Sequence, residues 1–233
     1  MMRIVFATSN PHKVREAREI LVPLGITLAD LGELARDLAE PIEDGETFEA
    51  NAQLKARYYA GHLGLVCLAE DSGLEVDALG GAPGVYSARY AEIDGTRDER
   101  DRANNEKLLA ALGGVPSERR GARFVCTLAV ADPAGNILAE ARGTYPGVIA
   151  FEPRGTHGFG YDPLLYLPDR GCTSAELPEA EKNARSHRGQ ALRELCRVWL
   201  PAQSEAAHSE TAHSDTERSG GLHDALTRSG RAK

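Results

Sequence analysis

No CxxC pair occurs in this chain of 233 residues. Its four cysteines, Cys67, Cys126, Cys172 and Cys196, stand far apart, which argues against a zinc knuckle or a dense disulfide scaffold. Cys67, Cys126 and Cys196 lie in apolar runs and read as buried thiols. No apolar run approaches the ~20 residues that cross a bilayer. The opening MMRIVFATSN turns polar too soon for a secretory signal. A cytoplasmic location and no membrane partner are therefore expected. Positive charge is also scarce: 27 Lys and Arg against 35 Asp and Glu leave a net charge of −8. That balance argues against sequence-independent nucleic-acid binding, which needs a cationic face. A small anionic substrate stays open, because a local basic cluster can dominate one pocket. The chain also lacks GxxxxGK[ST], GxGxxG and GxSxG, so no P-loop, dinucleotide fingerprint or serine elbow applies.

What is present resembles an ordinary globular protein, with 42% hydrophobic and 27% charged residues and length enough for a full core. RIVFA (3–7) reads as a buried strand, followed by the polar turn TSNPHK (8–13) and a helix opening at Val14. A short strand is expected near Ile26 to Leu31 and a helix over 47–63. LVCLA (65–69) reads as a strand with Glu70 and Asp71 at its carboxyl end. The stretch that follows, EDSGLEVDALGGAPGVYSARYA (70–91), is too rich in glycine for a helix. Another helix spans 97–114, then strands 123–131 and 136–145 joined by the turn DPAG, and a strand at 164–168. Leu192, Leu195, Cys196 and Trp199 share one face of a last helix. Early strand–helix units and a later hairpin predict an α/β fold with a mixed sheet, in a domain over 1–200. Residues 201–233 contain no aromatic residue and only two large aliphatics, Leu222 and Leu226, so a disordered polar tail is expected there.

Four segments can carry chemistry, and each also has a plain structural reading. TSNPHK, between a strand and a helix, exposes backbone N–H groups and Lys13 to a phosphate, or is an ordinary connecting loop. Glu70-Asp71-Ser72 offers carboxylates to a hard cation that keeps water and phosphate oxygens, or is a solvated acidic turn. In GFGYDPLLY (158–166), glycines let the backbone approach a flat ligand on which Phe159 or Tyr161 can stack; the alternative is a packed turn. AEKNARSHRGQALREL (180–195) concentrates Lys182, Arg185, His187 and Arg188, as a triphosphate pocket needs, or forms a solvated basic turn with Ser186 as a cap.

The order of ATSNPHK, TFEANAQLKA, EDSGLEVDALGGAPGVYSARYA, GFGYDP and EKNARSHRGQAL resembles the Ham1-like inosine triphosphate pyrophosphatases, over roughly residues 4–199. That resemblance implies an elongated mixed β-sheet with two α/β lobes, a central active-site cleft and a homodimer. It also implies Mg²⁺-dependent hydrolysis of ITP, dITP or XTP, purine nucleoside triphosphates, to the monophosphate and pyrophosphate. By motif match, Thr8, Ser9, Asn10, Pro11, His12 and Lys13 bind phosphate and sugar. Asp71 serves as metal ligand and proton acceptor for the attacking water, and Ser72 touches substrate. Phe159, Gly160, Tyr161 and Asp162 form one side of the nucleoside pocket, which Lys182, His187 and Arg188 complete. Arg188 and His187 suit the 6-keto oxygen of the base. Relatives often carry a second metal-associated glutamate before the TFEANA helix; that position aligns here with Ile42, and neighbouring Glu43 is named as its substitute. Two other readings compete: a pyrophosphatase for another modified base, and a nucleotide-binding module without turnover.

Overall fold

Two parallel strands open the fold. In the computed structural model, which describes residues 2–34 and 38–200, β1 (Met2–Phe6) buries Ile4, Val5 and Phe6 and pairs with β2 (Ile26–Asp30). Parallel neighbours need a crossover, and α1 (Pro11–Leu21) supplies it. This helix starts three residues ahead of the expected Val14. Asn10 caps it, its side-chain oxygen accepting the His12 N–H at 3.1 Å, and Pro11 takes a first-turn position where no N–H is needed. His12 and Lys13 therefore stand in a helix, not in the loop. A short helix, α2 (Leu31–Leu34), precedes α3 (Phe48–Leu63), which Thr47 caps and Gly64 ends in a left-handed conformation.

β3 (Cys67–Val76) departs from expectation, because Glu70 and Asp71 lie inside this strand and not at the end of 65–69. It pairs in parallel with β1 at Val5↔Cys67 and antiparallel with β4 (Gly121–Ala131) from Cys67↔Ala131 to Val76↔Ala122. Pairing along its whole length overrides the poor strand propensity of Glu-Asp-Ser-Gly. Gly73 has a separate reason: a Cβ there would lie 2.4 Å from Ser87 Oγ, so only glycine lets the turn Gly84–Arg89 close over the strand.

α4 (Arg97–Ala111) begins with a reciprocal cap between Thr96 and Glu99. β5 (Ile137–Ile149) completes the predicted hairpin and runs four residues past its expected end at Tyr145. With β6 (Leu165–Leu167) and β7 (Cys172–Thr173) it extends a mixed sheet ordered β2-β1-β3-β4-β5-β6-β7. α5 (Glu179–Arg185) and α6 (residues 187–200) follow. The chain divides into two compact units after Leu195; the first holds the sheet, and in the second residues 196–200 are helical. The tail expected over 201–233 lies outside the described residues.

Within the first unit, buried apolar residues form two groups. One contains Val5, Ala52, Tyr59, Cys67 and Ala69, the other Leu74, Val76, Leu108, Phe124 and Leu164. β3 passes from the first to the second, and its polar residues 70–72 occupy the interval. These two groups are the counterpart of the two expected lobes.

Candidate active site

Glu70 is fully buried, which water-stripped carboxylates tolerate only when paired. Arg188, near the start of α6, donates from Nε at 2.7 Å and from Nη2 at 2.9 Å to its two oxygens. Lys13 of α1 approaches at 2.9 Å, and Ser72 Oγ donates at 3.0 Å. Arg188 also pairs with Glu16 of α1, Glu16 stands 3.6 Å from Lys182 of α5, and Lys182 contacts Asp162 at 2.6 Å. A chain of alternating charge thus runs Lys13–Glu70–Arg188–Glu16–Lys182–Asp162. Burial pushes the Glu70 carboxyl up, but Arg188 and Lys13 outweigh it and hold it well below the usual glutamate range. The same carboxylates hold Arg188 well above its ordinary value against the pull of burial.

The bareness of Gly143 lets α6 reach this place. A Cβ on that residue of β5 would fall 2.1 Å from the His187 carbonyl oxygen, so glycine admits the helix start against the sheet. Ser186 caps it as expected, accepting the Gly189 N–H at 3.1 Å.

Asp71, on the next position of β3, belongs to a second cluster. Lys55 Nζ of α3 donates to its Oδ1 at 3.0 Å, and Asn51 Nδ2 to its Oδ2 at 3.2 Å. The same Lys55 ammonium lies 3.2 Å from Glu43. Burial raises the Asp71 carboxyl above the usual aspartate value, and Lys55 opposes this without cancelling it. Burial lowers the Lys55 ammonium, but Asp71 and Glu43 more than reverse that and leave it raised.

Two adjoining recesses collect most of the expected site. Ser72, Phe159, Gly160, Tyr161, Asp162, Lys182, His187 and Arg188 line the first, with Phe124 and Arg97. Thr8, Ser9 and Asn10 line the second with Glu40, Glu43 and Lys55. Lys13 and Arg97 border both. Asn10 uses its oxygen for the helix cap, and its buried Nδ2 has no hydrogen-bond partner among the described residues. Pro11 starts the helix and lines neither recess, whereas His12 packs its ring 5.4 Å from that of Phe159.

Two expectations change here. Tyr161 is buried and its hydroxyl donates to the Ser87 carbonyl at 2.9 Å, so of the two expected stacking residues it buttresses the wall and leaves the ring of Phe159. Arg188 was expected to reach a 6-keto oxygen, yet Nε, Nη1 and Nη2 all hold carboxylates. His187 stacks on Phe124 at 4.9 Å between ring centres, and its buried Nδ1 has no hydrogen-bond partner among the described residues.

Several side chains at the site escaped the sequence reading. Asn51 and Lys55 sit four apart on the buried face of α3 beside Ala52 and Ala56, where polar residues are anomalous; that pattern was visible. Glu16, which joins Arg188 to Lys182, showed only as a polar residue among the apolar positions of a helix.

Burial and the Arg188 charge hold the His187 imidazole neutral, well below its ordinary value of 6.5. The unfolded chain binds a proton that the folded chain refuses, so stability rises with pH between the folded value and 6.5 and falls on acidification through that range. Denaturant melts from pH 7 to 5 should show this slope, and His187→Gln should flatten it. An equal slope in both proteins would contradict the assignment.

The Ham1 family model matches residues 4–198. A dITP/XTP pyrophosphatase from Yersinia pseudotuberculosis serotype I is 52% identical over 197 residues, covering 83% of this chain and 95% of that protein. A solved HAM1 protein from Coxiella burnetii superposes with a TM-score of 0.77 at 41% identity, covering 86% of this chain and all of that one. The Ham1 protein of Staphylococcus aureus gives 0.74 at 38% identity, covering 86% and 99%. The matched span contains the buried charge chain, both recesses and the Asp71 cluster, and the chain belongs to the Ham1 family.

Proposed function

We propose that this chain hydrolyses dITP, XTP and ITP to the monophosphate and pyrophosphate, clearing deaminated purines from the nucleotide pool. One observation carries the reading: a recess walled by Phe159, Phe124 and His187 adjoins a polar one, and Lys13 and Arg97 border both. A flat base and a polyanion attached to it need that adjacency.

Asp71 and Glu43 fit a divalent cation. Both present oxygens to the same point, where the Lys55 ammonium now stands, and burial keeps the Asp71 carboxyl raised against that ammonium. Among the described residues no three His, Cys, Asp or Glu side chains group as a metal cage. Two carboxylates suit Mg²⁺, which prefers few protein ligands and keeps water and phosphate oxygens. When bound, Mg²⁺ would neutralise charge on the phosphates. The residues supply the rest: Asp71 takes the proton of the attacking water, Lys55 steadies Asp71, and Lys13 and the unpartnered Asn10 amide hold phosphate oxygens. His187, neutral and facing the first recess, meets the base edge.

The same reading makes the protein a cytoplasmic homodimer with no nucleic-acid partner. No helix among the described residues is long and apolar enough to cross a membrane, Cys67 and Cys126 are buried free thiols, and exposed Phe151 beside Tyr166 offers an apolar surface to a second copy.

Pyrophosphate release from ITP, XTP, dITP, GTP and ATP tests the proposal. Turnover of the deaminated substrates should exceed that of ATP by about 100-fold, since unpaired polar groups at a base edge cost roughly 1–3 kcal/mol each, and a chelator should abolish it. Equal rates on ATP and ITP would remove the specificity. Turnover only on another modified purine would favour the second pyrophosphatase reading, and binding without turnover the inactive module.

A further inference from the structure

Arg97, Asp101 and Asn105 fall four residues apart on α4, and all three reach the dipeptide Phe159–Gly160. Residues at that spacing share one helix face, so they form a continuous stripe. Asp101 Oδ2 accepts the Gly160 N–H at 2.9 Å. Asn105 Nδ2 donates to the Gly160 carbonyl at 3.0 Å. The Arg97 guanidinium lies 5.0 Å from the centre of the Phe159 ring. From the other side, Asp162 Oδ2 accepts the Phe159 N–H at 2.9 Å.

Side chains, not strand or helix pairing, therefore hold these three backbone groups, at a glycine turned left-handed (φ 64). The helix that supplies two of them is itself anchored, since Leu108 and Leu112 at its far end are buried in the second apolar group. Removing one hydrogen bond would loosen the loop and leave both cores in place. Besides the Phe159 ring, the Arg97 side chain approaches Asp101 at 3.9 Å, and among the described residues its Nε has no hydrogen-bond partner.

We infer that this stripe of α4 is the positioning element of the nucleoside recess: it fixes the plane of the Phe159 ring against the purine and so sets base affinity and selectivity. The inference rests on the activity proposed above and on Phe159 facing the base.

The test is steady-state kinetics on XTP and ATP for the full chain and for Phe159→Ala, Asp101→Leu, Asp101→Asn, Asn105→Leu and Asn105→Asp. Asp101→Leu and Asn105→Leu should raise KM for XTP about tenfold, as expected for one lost hydrogen bond, with kcat within about threefold of wild type. Their preference for XTP over ATP should fall toward that of Phe159→Ala. Asp101→Asn still offers an oxygen to the Gly160 N–H and should stay within about threefold of wild type on every parameter. Asn105→Asp, nearly identical in shape, turns an oxygen toward the Gly160 carbonyl and should reproduce the KM rise even if the leucine variants misfold. Loss of melting temperature and kcat together, with KM and base preference unmoved, would overturn the inference and leave the stripe merely structural. A wild type inactive on XTP would instead overturn the activity, and an unchanged KM in Phe159→Ala would overturn the role of the ring.

Discussion

Asp71→Asn should lower turnover by about three orders of magnitude, the middle of the range for losing a positioned proton acceptor, while the protein stays folded. The substitution is nearly isosteric, and an asparagine oxygen can still accept from Lys55. What it removes is negative charge beside Glu43 and a basic site beside the polar recess. Nucleotide affinity should change far less than kcat, because the side chains around the nucleoside recess are untouched. Pyrophosphate release, calorimetric affinity for a non-hydrolysable inosine nucleotide, and a thermal melt separate these outcomes. Activity near wild type would mean that another group readies the water.

Arg188→Met should give the largest loss of stability. It leaves buried Glu70 with Lys13 alone and buried Glu16 with Lys182 alone, and breaking a buried ion pair from one side costs about 3–5 kcal/mol. At about 2–4 °C per kcal/mol for a domain of this size, the melting temperature should drop by roughly 10 °C. Adding Glu70→Gln should recover part of the loss, because a neutral amide needs no counter-charge. The pH dependence has a definite sign. Glu70 has a lowered folded value, so its stabilising contribution is complete above the ordinary 4.5 and is lost as pH falls through the folded value. Wild type and Arg188→Met should therefore converge in stability below pH ~4.5 and differ most near neutrality. A melting temperature within about 2 °C of wild type at pH 7, roughly a fifth of the expected drop, would show that Glu70 does not need its partner.

Most elements were legible because their signals are local. The apolar run Ile4–Phe6, the Thr47 cap with its Gly64 stop, and the DPAG turn each fix a boundary within a few neighbouring residues. Beyond Ala69, β3 was not legible, since Glu70-Asp71-Ser72-Gly73 is a strand only because β4 pairs along all of it. The site divides the same way. Lys13, Phe159, Lys182, His187 and Arg188 line one recess, whereas Asp71 lies in the neighbouring cluster with Lys55 and Glu43. Their actual bonding was hidden, because Lys55 and Glu16 act through partners 16 and 172 positions away. Tyr161 illustrates the limit: its type suits stacking, and only the Ser87 carbonyl shows that it faces the wall.

The buried run from Lys13 to Asp162 has an even membership, three of each sign, so it is self-neutral. Any lone charge-altering mutation within it leaves an odd member in a dry interior. Drift along that path is therefore restricted to compensated swaps, a plus lost together with a minus. Among homologues, these six positions should vary as coupled doublets or stay fixed.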